Sequence, residues 1–141
     1  MDYKKEAVMD IKRVQYFSIS TQDKPGELAR FAKTMMEANV NMAGVWGFSK
    51  GQGQAEIIAV PTDPEPFKKA AQRAGWAAKA GACFHLTGED RVGALSDTLD
   101  RVAREGINLR AVDAMAISGR YSAYVWAQEK DVDRLGKVLK S

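Results

Sequence analysis

This chain repeats itself, and the repeat limits its fold more than any other feature. Asp23-Lys24-Pro25-Gly26-Glu27-Leu28 returns 67 residues later as Asp90-Arg91-Val92-Gly93-Ala94-Leu95. At the same spacing Asn41 meets Asn108 and Val45 meets Val112, with no gap needed from Phe17 to Val60. Matches at that many element boundaries mark a duplication. A length of 141 residues suits one ordinary domain or two small ones, and the repeat favours two.

Within the first copy, β-branched and aromatic residues (Val14, Tyr16, Phe17, Ile19) read as a strand over 11–20. The turn Asp23–Gly26 follows. Apolar residues at helical spacing (Leu28, Ala32, Met35, Met36) then predict a helix over 27–38, stopped at Asn39. A strand is expected over 41–49, with Met42, Trp46 and Phe48 on one face, then a glycine-rich hairpin at 50–53 and a strand over 55–60. Thr62-Asp63-Pro64 offers an N-cap and a first-turn proline for a helix using Phe67, Ala70, Ala71 and Ala74. Gly75 ends it, residues 76–80 make a fourth strand, and Gly81 opens the next unit. The order is βαββαβ.

The second copy predicts a strand over 82–87, a turn at 89–93 and a helix over 94–104 with Leu95, Leu99, Val102 and Ala103 inward. A hairpin of 109–117 and 121–127 follows, then a helix with Val132, Leu135 and Leu139 inside. With the sequence ending there, this unit is expected to lack its last strand. Residues Ala7 to Lys12, or a partner chain, are expected to cover the open edge. Residues 1–15 read as a lead-in and the start of the first strand, 16–80 as the first domain and 81–141 as the second.

The first copy's Asp23-Lys24-Pro25-Gly26 loop after the first strand, its helix opening on Leu28 and its Val40-Asn41-Met42 entry to the second strand resemble the ACT domain. The resemblance covers nearly the whole chain twice, although Val92 stands where the family pattern has proline. It implies an α+β fold of tandem ferredoxin-like units, with antiparallel sheets and helices packed on one side. It also implies units paired side by side, as in a homodimer, with a free amino acid bound between them. Carried onto this chain, the ligand contacts are Thr21, Asp23, Lys24, Pro25, Gly26 and Asn41. The second-unit counterparts are Gly88, Asp90, Arg91, Val92, Gly93 and Asn108.

The chemistry of the loop agrees with that role. A strand that passes straight into a helix leaves N–H groups open at the helix start, and these favour a carboxylate. Asp23 or an asparagine carbonyl supplies an acceptor for an ammonium group. The plainer alternatives are that Asp23 and Asp90 cap helices, that the asparagines only start strands, and that Trp46 and Phe48 pack in a core. Cys83 and His85 share one face of a strand without a second ligand pair, so a buried thiol and a satisfied imidazole are expected rather than a metal site.

The sequence bears on four function classes. A non-catalytic amino-acid sensor or regulatory protein leads, with any regulated activity in another chain. An oligomeric scaffold without ligand binding is the main rival. RNA binding is disfavoured, because Gln52 and Gln54 stand where a base-stacking sheet needs aromatics. An enzyme is disfavoured by one histidine, the lack of a nucleophile–base pair and the lack of a phosphate-loop motif. A net charge of +3, spread without a basic block, adds no nucleic-acid signal. A single cysteine suits a reducing compartment, and no apolar run is long enough for a signal peptide or a membrane span. The expected product is a cytoplasmic protein without a cofactor.

Overall fold

The strand β1 (Met9–Gln22) serves two cores. In the computed structural model, which describes residues 9–140, the chain separates into two units. Residues 15–22 of β1 lie in the first unit, Gln15–Gly81. Residues 9–14 lie in the second unit with residues 82–140.

The first unit runs through α1 (Glu27–Glu37), β2 (Met42–Gly51), β3 (Gln54–Pro61) and α2 (Pro64–Arg73) into β4 (Ala78–Glu89). Its strand order is β2-β3-β1-β4, with antiparallel ladders joining β1 to β3 and β2 to β3. Side chains alternate along a strand, so Phe17 and Ile19 of β1 share a face with Ile57 and Ala59 of β3. Phe31 and Met35 from α1 and Phe67, Ala70 and Ala71 from α2 close over that face. Phe17 stacks on Phe67 with ring centroids 4.6 Å apart. Asp63 caps α2 by accepting a hydrogen bond from the Glu65 N–H at 3.1 Å, as the Thr-Asp-Pro signal predicts.

The second unit repeats this with α3 (Ala94–Arg104), β5 (Leu109–Ile117), β6 (Arg120–Ala127) and α4 (Val132–Lys140). Phe84 and Leu86 stand where Phe17 and Ile19 stand in the first unit, and Val102, Leu135 and Leu139 close over them. No strand follows α4 among the described residues. Instead the order is β1-β4-β6-β5, and Met9 and Ile11 pack against this core. Arg13 ties the same segment to Asp133 of α4 at 2.7 Å. Residues 9–12 therefore occupy the edge expected to need cover; Ala7 and Val8 lie outside the described residues. The whole is α+β, and each strand order is consistent with a ferredoxin-like unit.

Three expectations need correction. The repeat does require a gap: Val45 pairs with Ala59, but its counterpart Val112 pairs with Val125, so the second hairpin is one residue shorter. The first hairpin absorbs its extra residue as a bulge between Ser49 and Gly51, whereas the second turns tightly on Ser118 and Gly119, both at positive φ. Gly81 does not break a strand, because β4 runs through it from Ala78 to Glu89. It is a packing glycine, where a Cβ would sit 2.7 Å from the Tyr16 ring.

On α3 the buried positions are Ala94, Thr98 and Val102; Leu95 and Leu99 are half-buried and Ala103 is exposed. On α1 the buried pair is Phe31 and Met35, while Leu28 and Met36 face outward at 49% and 68% exposure. In both helices the apolar stripe is wider than the face that the core uses, and on α3 periodicity alone placed the inward face one step off.

Candidate functional site

Both loops after the first strands are built the same way. Gly26 and Gly93 sit at φ 93° and 88° as the N-caps of α1 and α3, and neither helix start receives a side-chain cap. Positive φ is what glycine adopts without strain. It lets β1 and β4 turn straight into a helix. The first N–H of that helix, Glu27 or Ala94, donates back to the Lys24 or Arg91 carbonyl at 3.5 Å and 3.3 Å, and the next N–H groups receive no side-chain cap. The contrast with α2, capped by the Asp63 carboxylate, is direct.

Asp23 and Asp90 are therefore not caps. The Asp23 N–H donates to the Gly53 carbonyl at 2.9 Å, and the Asp90 N–H donates to the Gly119 carbonyl at 3.0 Å. Each backbone latches its loop onto its own hairpin tip and leaves the carboxylate exposed.

The two loops place their charges differently. Glu27, the first residue of α1, lies 4.0 Å from the Lys24 ammonium and 3.3 Å from the Arg30 guanidinium, with its side chain 19% exposed. Ala94 holds that place in α3. There the Arg91 guanidinium donates to the Val92 carbonyl at 3.2 Å and to Asp97 Oδ2 at 2.8 Å. Each first turn thus carries an ion-paired carboxylate, Glu27 at the first position of α1 and Asp97 three positions further along in α3. The substitution of Ala94 for Glu27 was visible in the sequence, but the partners of Glu27 were not.

The structure gathers Thr21, Asp23, Lys24, Pro25 and Gly26 at one end of α1, with the Thr21 hydroxyl donating to the Gln22 carbonyl at 2.8 Å. Asn41 lies at the other end. Eleven helical residues span about 16 Å, so no single small molecule within this unit touches both ends. The Asn41 carbonyl accepts hydrogen bonds from the Thr62 N–H at 2.9 Å and from its hydroxyl at 3.2 Å. Asp90 and Gly93 are likewise separated from Asn108 by the length of α3.

Asn41 borders an open groove of about 480 Å³ that has Phe31 and Met35 in its floor and Leu28, Met36 and Val45 along its sides. The sequence reading, which used Leu28 and Met36 only as helix-periodic residues, did not point to this groove. The one available signal was the surplus apolar residues on α1.

On the face of β4 opposite the second core, Cys83 is buried and its thiol is pushed up to about 12 by burial. His85 Nε2 is 2.9 Å from the Ser122 hydroxyl, and its ring stacks on Tyr124 at 4.1 Å. Burial, with Lys12 adding to it, lowers the His85 pKa and keeps the imidazole neutral. Packing accounts for both residues. His85, Tyr124 and Trp126 occupy places from which an open sheet could stack bases. Tyr124 and Trp126 are only 6% and 8% exposed, and a base needs an open ring face. Trp46 folds its indole over Gly44 and Phe48 is half-exposed; neither lines the groove. No helix among the described residues is long and apolar enough to cross a membrane.

No protein-family model matches this chain, and no curated protein matches it. Solved structures do. A protein of Bacteroides thetaiotaomicron is 18% identical with a TM-score of 0.81, over 92% of this chain and 88% of that one. The ligand-free regulatory subunit of aspartate kinase from Thermus thermophilus is 14% identical with a TM-score of 0.63, over 94% and 93%. The corresponding subunit from Thermus flavus is 15% identical with a TM-score of 0.58, over 94% of each chain. At these identities the likeness is one of fold.

Proposed function

We propose that this chain is a non-catalytic regulatory protein that binds a free amino acid through tandem ACT-type units, residues 16–80 and 81–141. The observation that carries this reading is the pair of helix starts left without side-chain caps by Gly26 and Gly93, while α2 is capped by Asp63. The ligand carboxylate accepts from those N–H groups. Asp23 or Asp90 takes its ammonium with Thr21, Lys24 and Pro25 beside it, and Asn41 or Asn108, a helix length away within its own unit, reaches the ligand from the paired unit of a second copy. Binding biases the equilibrium of a partner protein by the ligand's different affinity for two states. The shared fold with two aspartate kinase regulatory subunits supports a regulatory role. We place the protein in the cytoplasm as a homodimer, with its regulated activity on another chain.

A scaffold that binds no ligand is the second reading. It is favoured by Glu27, whose carboxylate already stands at the start of α1. A thermal-shift screen of the full chain against the twenty amino acids, with Asp23→Ala and Asp90→Ala alongside, separates the two. Ligand at a hundred times its dissociation constant stabilises by about 2.7 kcal/mol. A shift lost in one variant supports binding at that loop. No shift with any amino acid in a folded sample overturns ligand binding and leaves the scaffold.

A further inference from the structure

The apolar groove beside α1 adjoins both groups of candidate ligand contacts. Leu28 at one end lies two residues beyond Gly26, and Val40 and Met42 flank Asn41 at the other. Its volume of about 480 Å³ falls in the range of small-molecule sites, which are mostly apolar with a few polar groups. Among the described residues that line it, only Asn39 and Asn41 are polar and none is charged. The charged groups at the start of α1 pair with one another instead. Glu27 holds Lys24 and Arg30, and the Arg30 guanidinium lies 5.2 Å from the Trp76 ring centroid. Two positions along a helix are about 200° apart, so Arg30 stands on the opposite side of α1 from Leu28.

A zwitterion held by its carboxylate and ammonium lays its side chain on whatever adjoins those contacts. Here that is exposed apolar surface, Leu28 and Val45 at one end and Met36 toward the other. Covering it with methylene groups is favourable, whereas a charged side chain would lose water without gaining a partner. The duplication distinguishes the units. At the repeat spacing Leu99 stands where Ala32 does. Ala32 is exposed in the groove and leaves its middle open; Leu99 is half-buried and places a larger side chain there. We infer that the amino acid bound by this chain carries an apolar side chain, and that the groove of the first unit receives it. This rests on the amino-acid-binding reading and names the ligand class and the unit.

Isothermal titration calorimetry of the full chain with each of the twenty amino acids tests it. The expected result is that leucine, methionine or phenylalanine binds at least about tenfold more tightly than alanine, with serine, aspartate and lysine weaker still. Ala32→Leu copies the second unit's residue into the groove, and Met36→Glu puts a charge there at a position 68% exposed. Each should weaken binding of the apolar ligand about tenfold or more, with far-UV circular dichroism unchanged. Binding of polar or charged amino acids alone overturns the ligand class and leaves amino-acid binding standing. Apolar binding that a folded variant leaves intact overturns the groove as its place. No binding of any amino acid overturns the amino-acid reading and this inference with it.

Discussion

Gly136→Ala opposes two physical effects of similar size, and the structure decides which one wins. Gly136 is a buried position within α4, where glycine costs a helix up to about 1 kcal/mol relative to alanine. Helix propensity alone therefore makes the substitution stabilising. A Cβ at Gly136, however, would lie 2.9 Å and 3.1 Å from two ring carbons of Phe84, where ordinary contact begins at 3.4 Å. The ring would have to retreat by about half an ångström, but Phe84 is 1% exposed among Leu86, Val125 and Leu135. Close-packed cores resist such shifts, and overpacking costs about 1–3 kcal/mol. The net expectation is a loss of about 1 kcal/mol.

Urea unfolding followed by circular dichroism measures it, as a lower midpoint with an unchanged slope. In a Phe84→Leu background the overlap is removed, and the same Gly136→Ala change should stabilise by up to about 1 kcal/mol. That reversal of sign is the coupling a double-mutant cycle isolates. A gain of about 1 kcal/mol in the wild-type background would refute the packing argument.

Two further outcomes follow from the second unit. Arg13 holds the Asp133 carboxyl below its ordinary value by hydrogen bonding to it, so Arg13→Ala should raise the Asp133 pKa toward normal in an NMR titration. A depressed carboxylate contributes stability that is lost as pH falls through its folded pKa, so the wild type should lose this increment in acid and the variant should not. An unmoved Asp133 would mean that β1 is not seated on α4. His85 is the only histidine, and its pKa is lowered chiefly by burial. The folded state then binds its proton less readily than the unfolded chain does, so stability is full above about 6.5 and declines as pH falls below it. NMR of the single imidazole should give a midpoint below that value, and a normal or raised one would contradict its burial against Tyr124.

Much of the fold was legible because the signals were local. The βαβ order, the Asp63 cap, the turns at Gly26 and Gly93 and the helix stop at Asn39 all follow from backbone preferences of short stretches. The same holds for the candidate loops. A glycine between a strand and a helix leaves no side chain to cap the helix, and none caps α1 or α3. Periodicity failed where a helix carried more apolar residues than its core face needed. Leu28 and Met36 lie outside because Phe31 and Met35 already fill the space beneath α1. The one-residue difference between the hairpins was invisible because neighbouring small residues let the repeat be read straight across it.

By itself the sequence determined that this chain is a duplication and which residues form its loops and helix starts, because those depend on neighbours a few positions away. Tertiary structure alone decided that residues 9–14 complete the second unit, that Gly81 makes room for Tyr16, and that Glu27 faces Lys24 and Arg30. It also decided which apolar residues stay outside. Each of these depends on which distant side chain has already filled the adjacent space, and the order of residues along the chain does not carry that information.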